Sequence, residues 1–129
     1  MKTRHLLAAL AAVFLATAAQ TAVAKQVVAE FSGSSSSNTR QFDVQSPWLM
    51  EWQVSGDEGQ YEVIEISLVD ASTGMYQGIA VKSKTAGEGL RLFKEGGEYY
   101  FRVNSSLMNW HIKVSQLSEE EAEEYKAKD

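Results

Sequence analysis

Gly97-Glu98-Tyr99-Tyr100-Phe101-Arg102-Val103-Asn104, followed closely by Trp110-His111-Ile112-Lys113-Val114-Ser115, is the stretch that decides the fold. Tyr99, Phe101 and Val103 alternate with Tyr100, Arg102 and Asn104, and Trp110, Ile112 and Val114 alternate with His111, Lys113 and Ser115. A period of two is that of an extended strand, whose successive side chains point to opposite faces. A helix would repeat its apolar residues every three or four positions. These two segments are the most regular in the chain, and both predict strands with one face buried.

The same alternation runs back to Gln26. It predicts strands over Gln26–Phe31, Thr39–Gln45, Trp48–Val54, Gln60–Asp70, Met75–Ser83, Leu90–Lys94, Glu98–Asn104 and Trp110–Leu117. Eight short strands with turn chemistry every 8 to 12 residues or so are the signature of an all-β antiparallel β-sandwich. Phe42 and Val44 share one face, and so do Trp48, Met50, Trp52 and Val54. Ile64, Ile66 and Leu68 share a face of the fourth segment, and Val63 and Val69 lie opposite, which predicts a central strand covered on both sides. Ser32 to Asn38 reads as a flexible polar loop, whereas Ser55 to Gly59 and Asp70 to Gly74 read as turns that supply residues tolerant of positive φ. Glu95-Gly96-Gly97 fits a tight hairpin, and Gly87-Glu88-Gly89 reads as a further loop. Pro47, the one proline, falls between strands, where a missing N–H interrupts no ladder. Ser118 followed by Glu121 is a capping box. Acids then crowd a first turn and Lys126 and Lys128 a last one, so a short C-terminal helix is expected over 118–129.

The chain opens with a different kind of segment. Lys2, Arg4 and His5 precede an apolar run from Leu6 to Ala19, and Ala22-Val23-Ala24 offers the small residues a signal peptidase cuts after. Residues 1–24 therefore read as a signal peptide and residues 25–117 as one sandwich domain, with a periplasmic or secreted location. The apolar run is too short to span a bilayer, so no stable membrane anchor is expected. Cleavage removes Lys2 and Arg4 from the 12 basic residues and none of the 17 acidic ones, which leaves 10 and a net charge of −7. That balance argues against nucleic acid, since a phosphate binder needs a basic face. The chain has no cysteine, so packing rather than disulfides must hold an exported domain of this size.

Little in the sequence can make or break bonds. The only histidine after residue 24 is His111, flanked by inward Trp110 and Ile112, so it points to the outside of its sheet. With no thiol and a single imidazole, neither a nucleophilic triad nor a zinc site is expected. Asp57, Glu58 and Asp70 could offer oxygen to calcium, but no dense Asp-x-Asp pattern supports a site, and no metal or other cofactor is expected. Recognition falls to exposed rings and polar tips. Trp52 and Trp110 read as core, whereas Trp48, Tyr76, Tyr100 and His111 are the candidate ligand-binding residues, because an aromatic ring outside the core can stack on a sugar or anchor a protein partner.

Phe42-x-Val44, Leu68-x-Asp70-x-x-x-Gly74, Gly97-x-Tyr99-Tyr100-Phe101-x-Val103 and Trp110-x-Ile112-x-Val114 occur in an order that resembles the pre-peptidase C-terminal family of small β-sandwich modules. The resemblance covers about three quarters of the chain after residue 24, and implies a jelly-roll-like, non-catalytic accessory module. The expected function is an exported binding module for a protein or glycan. A second reading is an inhibitor of an exported hydrolase acting through Ser32–Asn38 or Gly87–Gly89. A third is a hydrolase using Glu62 or Glu65 with His111.

Overall fold

A computed structural model of the chain describes residues 25–56 and 63–126; the expected signal peptide and Asp57, Glu58 and Glu62 lie outside the described residues. Two antiparallel sheets face each other. One has the order β1 (Gln26–Gly33), β9 (Met108–Gln116), β4 (Trp48–Gly56), β7 (Gly87–Phe93). In the other, β2 (Ser37–Asn38) and β3 (Phe42–Val44) both pair with β8 (Gly97–Ser106), followed by β5 (Val63–Asp70) and β6 (Tyr76–Ser83). The chain passes repeatedly from one sheet to the other, and the resulting orders are those of a jelly roll. Among the described residues one helix, α1 (Glu119–Lys126), follows β9.

The expected inward rows meet between the sheets. Met50 and Val54 of β4, Ile64 and Ile66 of β5, Phe101 and Val103 of β8, and Ile112 and Val114 of β9 are all buried in one cluster. Trp110 is buried with them and donates its Nε1–H to the Ser35 carbonyl at 3.0 Å. Trp52 packs on the cluster's edge and is half-buried. Both indoles depend on a glycine in the neighbouring strand. Trp110 pairs with Gly33 and Trp52 with Gly89, and a Cβ at either glycine would stand 2.6 Å from the indole Cζ2. The ring lies where a side chain would otherwise be.

That packing corrects one expectation. Gly87-Glu88-Gly89 is the start of edge strand β7, not a loop, because Gly89 must lie flat against β4 to receive Trp52. Two further expectations fail for reasons of pairing. The strand expected over Thr39–Gln45 shortens to Phe42–Val44, and the two ends of the supposed Ser32–Asn38 loop belong to β1 and β2. The Thr39 N–H donates to the Phe101 carbonyl at 2.9 Å, and the Thr39 hydroxyl accepts from the Phe101 N–H at 2.9 Å, so one threonine carries the ladder between β2 and β3. Glu95-Gly96-Gly97, expected as a hairpin, is instead a crossing between sheets. The Glu95 carbonyl accepts from Trp48 Nε1 at 2.8 Å and from the Tyr99 hydroxyl at 3.2 Å, which fixes the crossing over the end of the sandwich.

Both flanks are closed by side chains. On one, Phe31 of β1 meets Phe42 of β3 with ring centroids 6.0 Å apart. On the other, Arg91 of β7 reaches across to β6 and donates to the Ile79 and Ala80 carbonyls at 2.8 and 3.3 Å, its guanidinium 5.2 Å from the Phe93 ring. An edge strand whose carbonyls are occupied is a poorer template for pairing with another chain.

Candidate ligand-binding site on the outer face of the four-stranded sheet

The four residues singled out by sequence do not form one site. Trp48 is wholly enclosed: its ring stacks on Phe93 at 4.1 Å and 9°, meets Phe42 edge-on at 5.6 Å, and its N–H is satisfied by Glu95. It is core and not a ring at a strand mouth, because Phe93 and the β7–β8 crossing at Glu95 cover it. Tyr76 and Tyr100 come together on the outer face of the other sheet. Both are opposite Val69 of β5, so the three stand in one row across β6, β5 and β8. Tyr76 is 57 % exposed and Tyr100 half-buried, and Val69 between them is covered. His111 lies on the far side of the molecule, on the outer face of the β1-β9-β4-β7 sheet.

That outer face carries an open depression. It holds about 610 Å³ and is lined by Glu51, Gln53, Glu88, Leu90, His111 and Lys113, with Trp52 and Gly89 at its side. Register explains the grouping. His111 and Lys113 of β9 lie opposite Gln53 and Glu51 of β4, which lie opposite Glu88 and Leu90 of β7. Two rows of three side chains, one strand spacing apart, make the floor.

Most charge here is already balanced within the protein. The Lys25 ammonium donates to Glu51 Oε1 at 2.6 Å, and its pKa is raised above the usual 10.5 chiefly by that hydrogen bond. His111 Nε2 stands 3.8 Å from Glu30 Oε2 across the β1–β9 pair. Three side chains keep their hydrogen-bonding capacity. Among the described residues nothing hydrogen-bonds to the side chains of Gln53, Glu88 or Lys113. They supply respectively a donor with an acceptor, an acceptor, and a donor.

No family model and no curated protein matches the chain. Among solved structures it is similar to a carbohydrate-binding module from Cellvibrio mixtus lichenase 5A, solved in complex with cellotriose, with a TM-score of 0.39 and 11 % identity over 74 % of this chain and 91 % of that one. It is also similar to a chain from a structure of Bacillus endospore appendages, disulfide-linked pili, with a TM-score of 0.35 and 10 % identity over 74 % and 92 % of the two chains. Neither likeness is close enough to carry a ligand or a role over to this chain.

The other chemistries weighed from sequence fare differently in space. Glu65 faces outward from the β2/β3-β8-β5-β6 sheet and His111 outward from the opposite one, so the sandwich itself separates them. Asp70 uses its carboxylate on its own turn: Oδ1 accepts from the Ser72 N–H, the Ser72 hydroxyl and the Thr73 N–H, which hold its pKa below 3.8 with the Ser72 hydroxyl contributing most. Of the Ser32–Asn38 segment, only Ser34 to Ser36 lies outside strands. Gln53, Glu88 and Lys113 were missed as candidates. Their outward phase is legible, since each alternates with a core residue or a glycine, but their convergence depends on β4 lying between β9 and β7.

Proposed function

We propose that this chain is an exported, non-catalytic binding module of the periplasm or cell exterior, that its ligand is an uncharged glycan, and that the ligand sits on the outer face of the β1-β9-β4-β7 sheet. One observation carries the reading: Gln53, Glu88 and Lys113 converge on a single depression, with no partner for their side-chain polar atoms among the described residues. Sugar hydroxyls both donate and accept, so one class of ligand can satisfy all three. The carboxylates of Glu30, Glu51 and Glu88 stand among the ammonium groups of Lys25 and Lys113, which leaves no strong field of either sign to select an ion. A protein partner would need a buried apolar anchor, and Leu90, 40 % exposed, is the only exposed aliphatic side chain in the lining. The resemblance to pre-peptidase C-terminal modules is part of this proposal.

The test is retention of the exported chain on immobilised neutral polysaccharides, acidic polysaccharides and a periplasmic extract. A Gln53→Ala, Glu88→Ala, Lys113→Ala triple variant serves as the control, with its Tm checked. Neutral glycan retained by the natural chain and released by the triple variant supports the reading. Retention of a protein alone through the same residues keeps the binding site and replaces the ligand. Retention unaffected by the triple variant removes this face from the proposal.

A further inference from the structure

The depression occupies only part of its sheet face, and α1 covers a neighbouring part over β4 and β7. Two residues along each strand, the floor continues into the row Leu92, Leu49 and Ser115, from Leu90 on β7, Glu51 on β4 and Lys113 on β9, and the helix packs on Leu49 and Leu92 of that row. Leu49, Leu117 and Ala122 form a small cluster separate from the main core, with Leu92 and Tyr125 packed against it.

The cover is weakly built. An eight-residue helix is marginal by itself and depends on docking, yet Ala122 is its one buried residue, and Glu119, Glu120, Glu123 and Glu124 all face solvent. The face beneath is not fully apolar. Ser115 lies beside Leu49, fully buried, and its hydroxyl has no hydrogen-bond partner among the described residues. A buried hydroxyl left unpaired opposes closure, because water would satisfy it whenever the helix lifted. Lys25 joins the helix to the site. Lys25, which holds Glu51 at the rim of the depression, also lies 5.9 Å from the centroid of the Tyr125 ring.

We propose that α1 is a displaceable cover over a latent extension of the ligand site, with Lys25 as its latch. When the helix lifts, the row Leu92–Leu49–Ser115 joins the open depression and offers two apolar side chains and a free hydroxyl. That suits the C–H face and a hydroxyl of a further sugar ring, so a longer glycan displaces the helix and a short one does not. The glycan part rests on the function proposed above. The displaceable helix does not, and its test needs no glycan.

The experiment is amide hydrogen exchange on the full chain, comparing α1 with β9. The helix amides are expected to exchange much faster than those of β9, by local opening. Lys25→Ala, which removes the contact with the Tyr125 ring, should speed helix exchange a further ~2- to 5-fold while leaving β9 unchanged. Ser115→Ala, which removes the unpaired hydroxyl, should slow it at least ~5-fold. In an Ala122→Asp chain the freed strip should bind the apolar dye anilinonaphthalene sulfonate at an unchanged Tm of the sandwich. Helix amides that exchange no faster than β9, or faster helix exchange in Ser115→Ala, would overturn the proposal. So would an Ala122→Asp substitution that lowers the Tm of the whole domain. If these results hold and no glycan is retained, the cover stands and only the ligand is wrong.

Discussion

Replacing Gly33 by alanine tests whether the two tryptophan–glycine pairs govern the edges of the four-stranded sheet. The new Cβ would stand 2.6 Å from Cζ2 and 2.9 Å from Cε2 of Trp110. That indole is 5 % exposed and tied to Ser35 through its N–H, so it cannot swing aside without breaking a hydrogen bond. Overpacking of this kind costs ~1–3 kcal/mol and the lost hydrogen bond about 1 kcal/mol. Restricting the unfolded chain returns ~0.4–1 kcal/mol. The net expectation is a loss of about 2 kcal/mol, from those same ranges. Gly89→Ala presents nearly the same clash, 2.6 Å to Cζ2 of Trp52. There the indole is half-buried, sits beside an edge strand and makes no hydrogen bond among the described residues, so it can rotate outward. The expected loss is within ~0.5 kcal/mol, typical of a site that can adjust. Urea unfolding followed by tryptophan fluorescence separates the two. With a slope of ~1–3 kcal/mol per molar, Gly33→Ala should move the midpoint by about 1 M and Gly89→Ala hardly at all. Equal shifts, or a larger one at Gly89, would show that ring mobility does not decide the cost.

Leu107, the single residue between β8 and β9, has φ 64° and is 65 % exposed, so it carries left-handed strain with little packing in return. Leu107→Gly should raise stability by about 0.5–1 kcal/mol, the relief of ~1–2 kcal/mol less the entropy glycine adds to the unfolded chain; a lower Tm would refute this. Asp70 has its pKa depressed in the fold, so its contribution to the β5–β6 turn is complete above the ordinary value of 3.8 and is lost as pH falls through the folded value. The stability gap between the natural chain and Asp70→Asn, read from urea midpoints between about pH 5 and pH 2, should narrow as the solution is acidified. A gap that does not change with pH would mean the carboxylate charge is irrelevant to the turn.

Much of this protein follows from a period of two. Alternation in Tyr99–Val103 and Trp110–Val114 settles which side chains face inward, because a strand has two faces and its residues take them in turn. It also puts His111 on the outside. Local chemistry is equally legible: Ser118 and Glu121 form their reciprocal cap at 3.2 and 2.9 Å, and the Asp70–Gly74 segment closes a turn with the Gly74 N–H on the Asp70 carbonyl at 2.7 Å. These are contacts between residues three or four apart, and the sequence contains both partners.

Partnership between strands is another matter, since the period fixes a face and says nothing about a neighbour. The two most regular segments, β8 and β9, have one residue between them and lie in opposite sheets. Gly87-Glu88-Gly89 became a strand only because an indole 37 residues earlier needed Gly89 beside it. Tyr76 and Tyr100 met across Val69 while His111 went to the other side, and Trp48 went inside, all through pairings between distant segments. Tertiary structure alone placed Gln53, Glu88 and Lys113 around one depression. Their outward direction is a local property of each strand, but their convergence is a property of the order in which the strands lie.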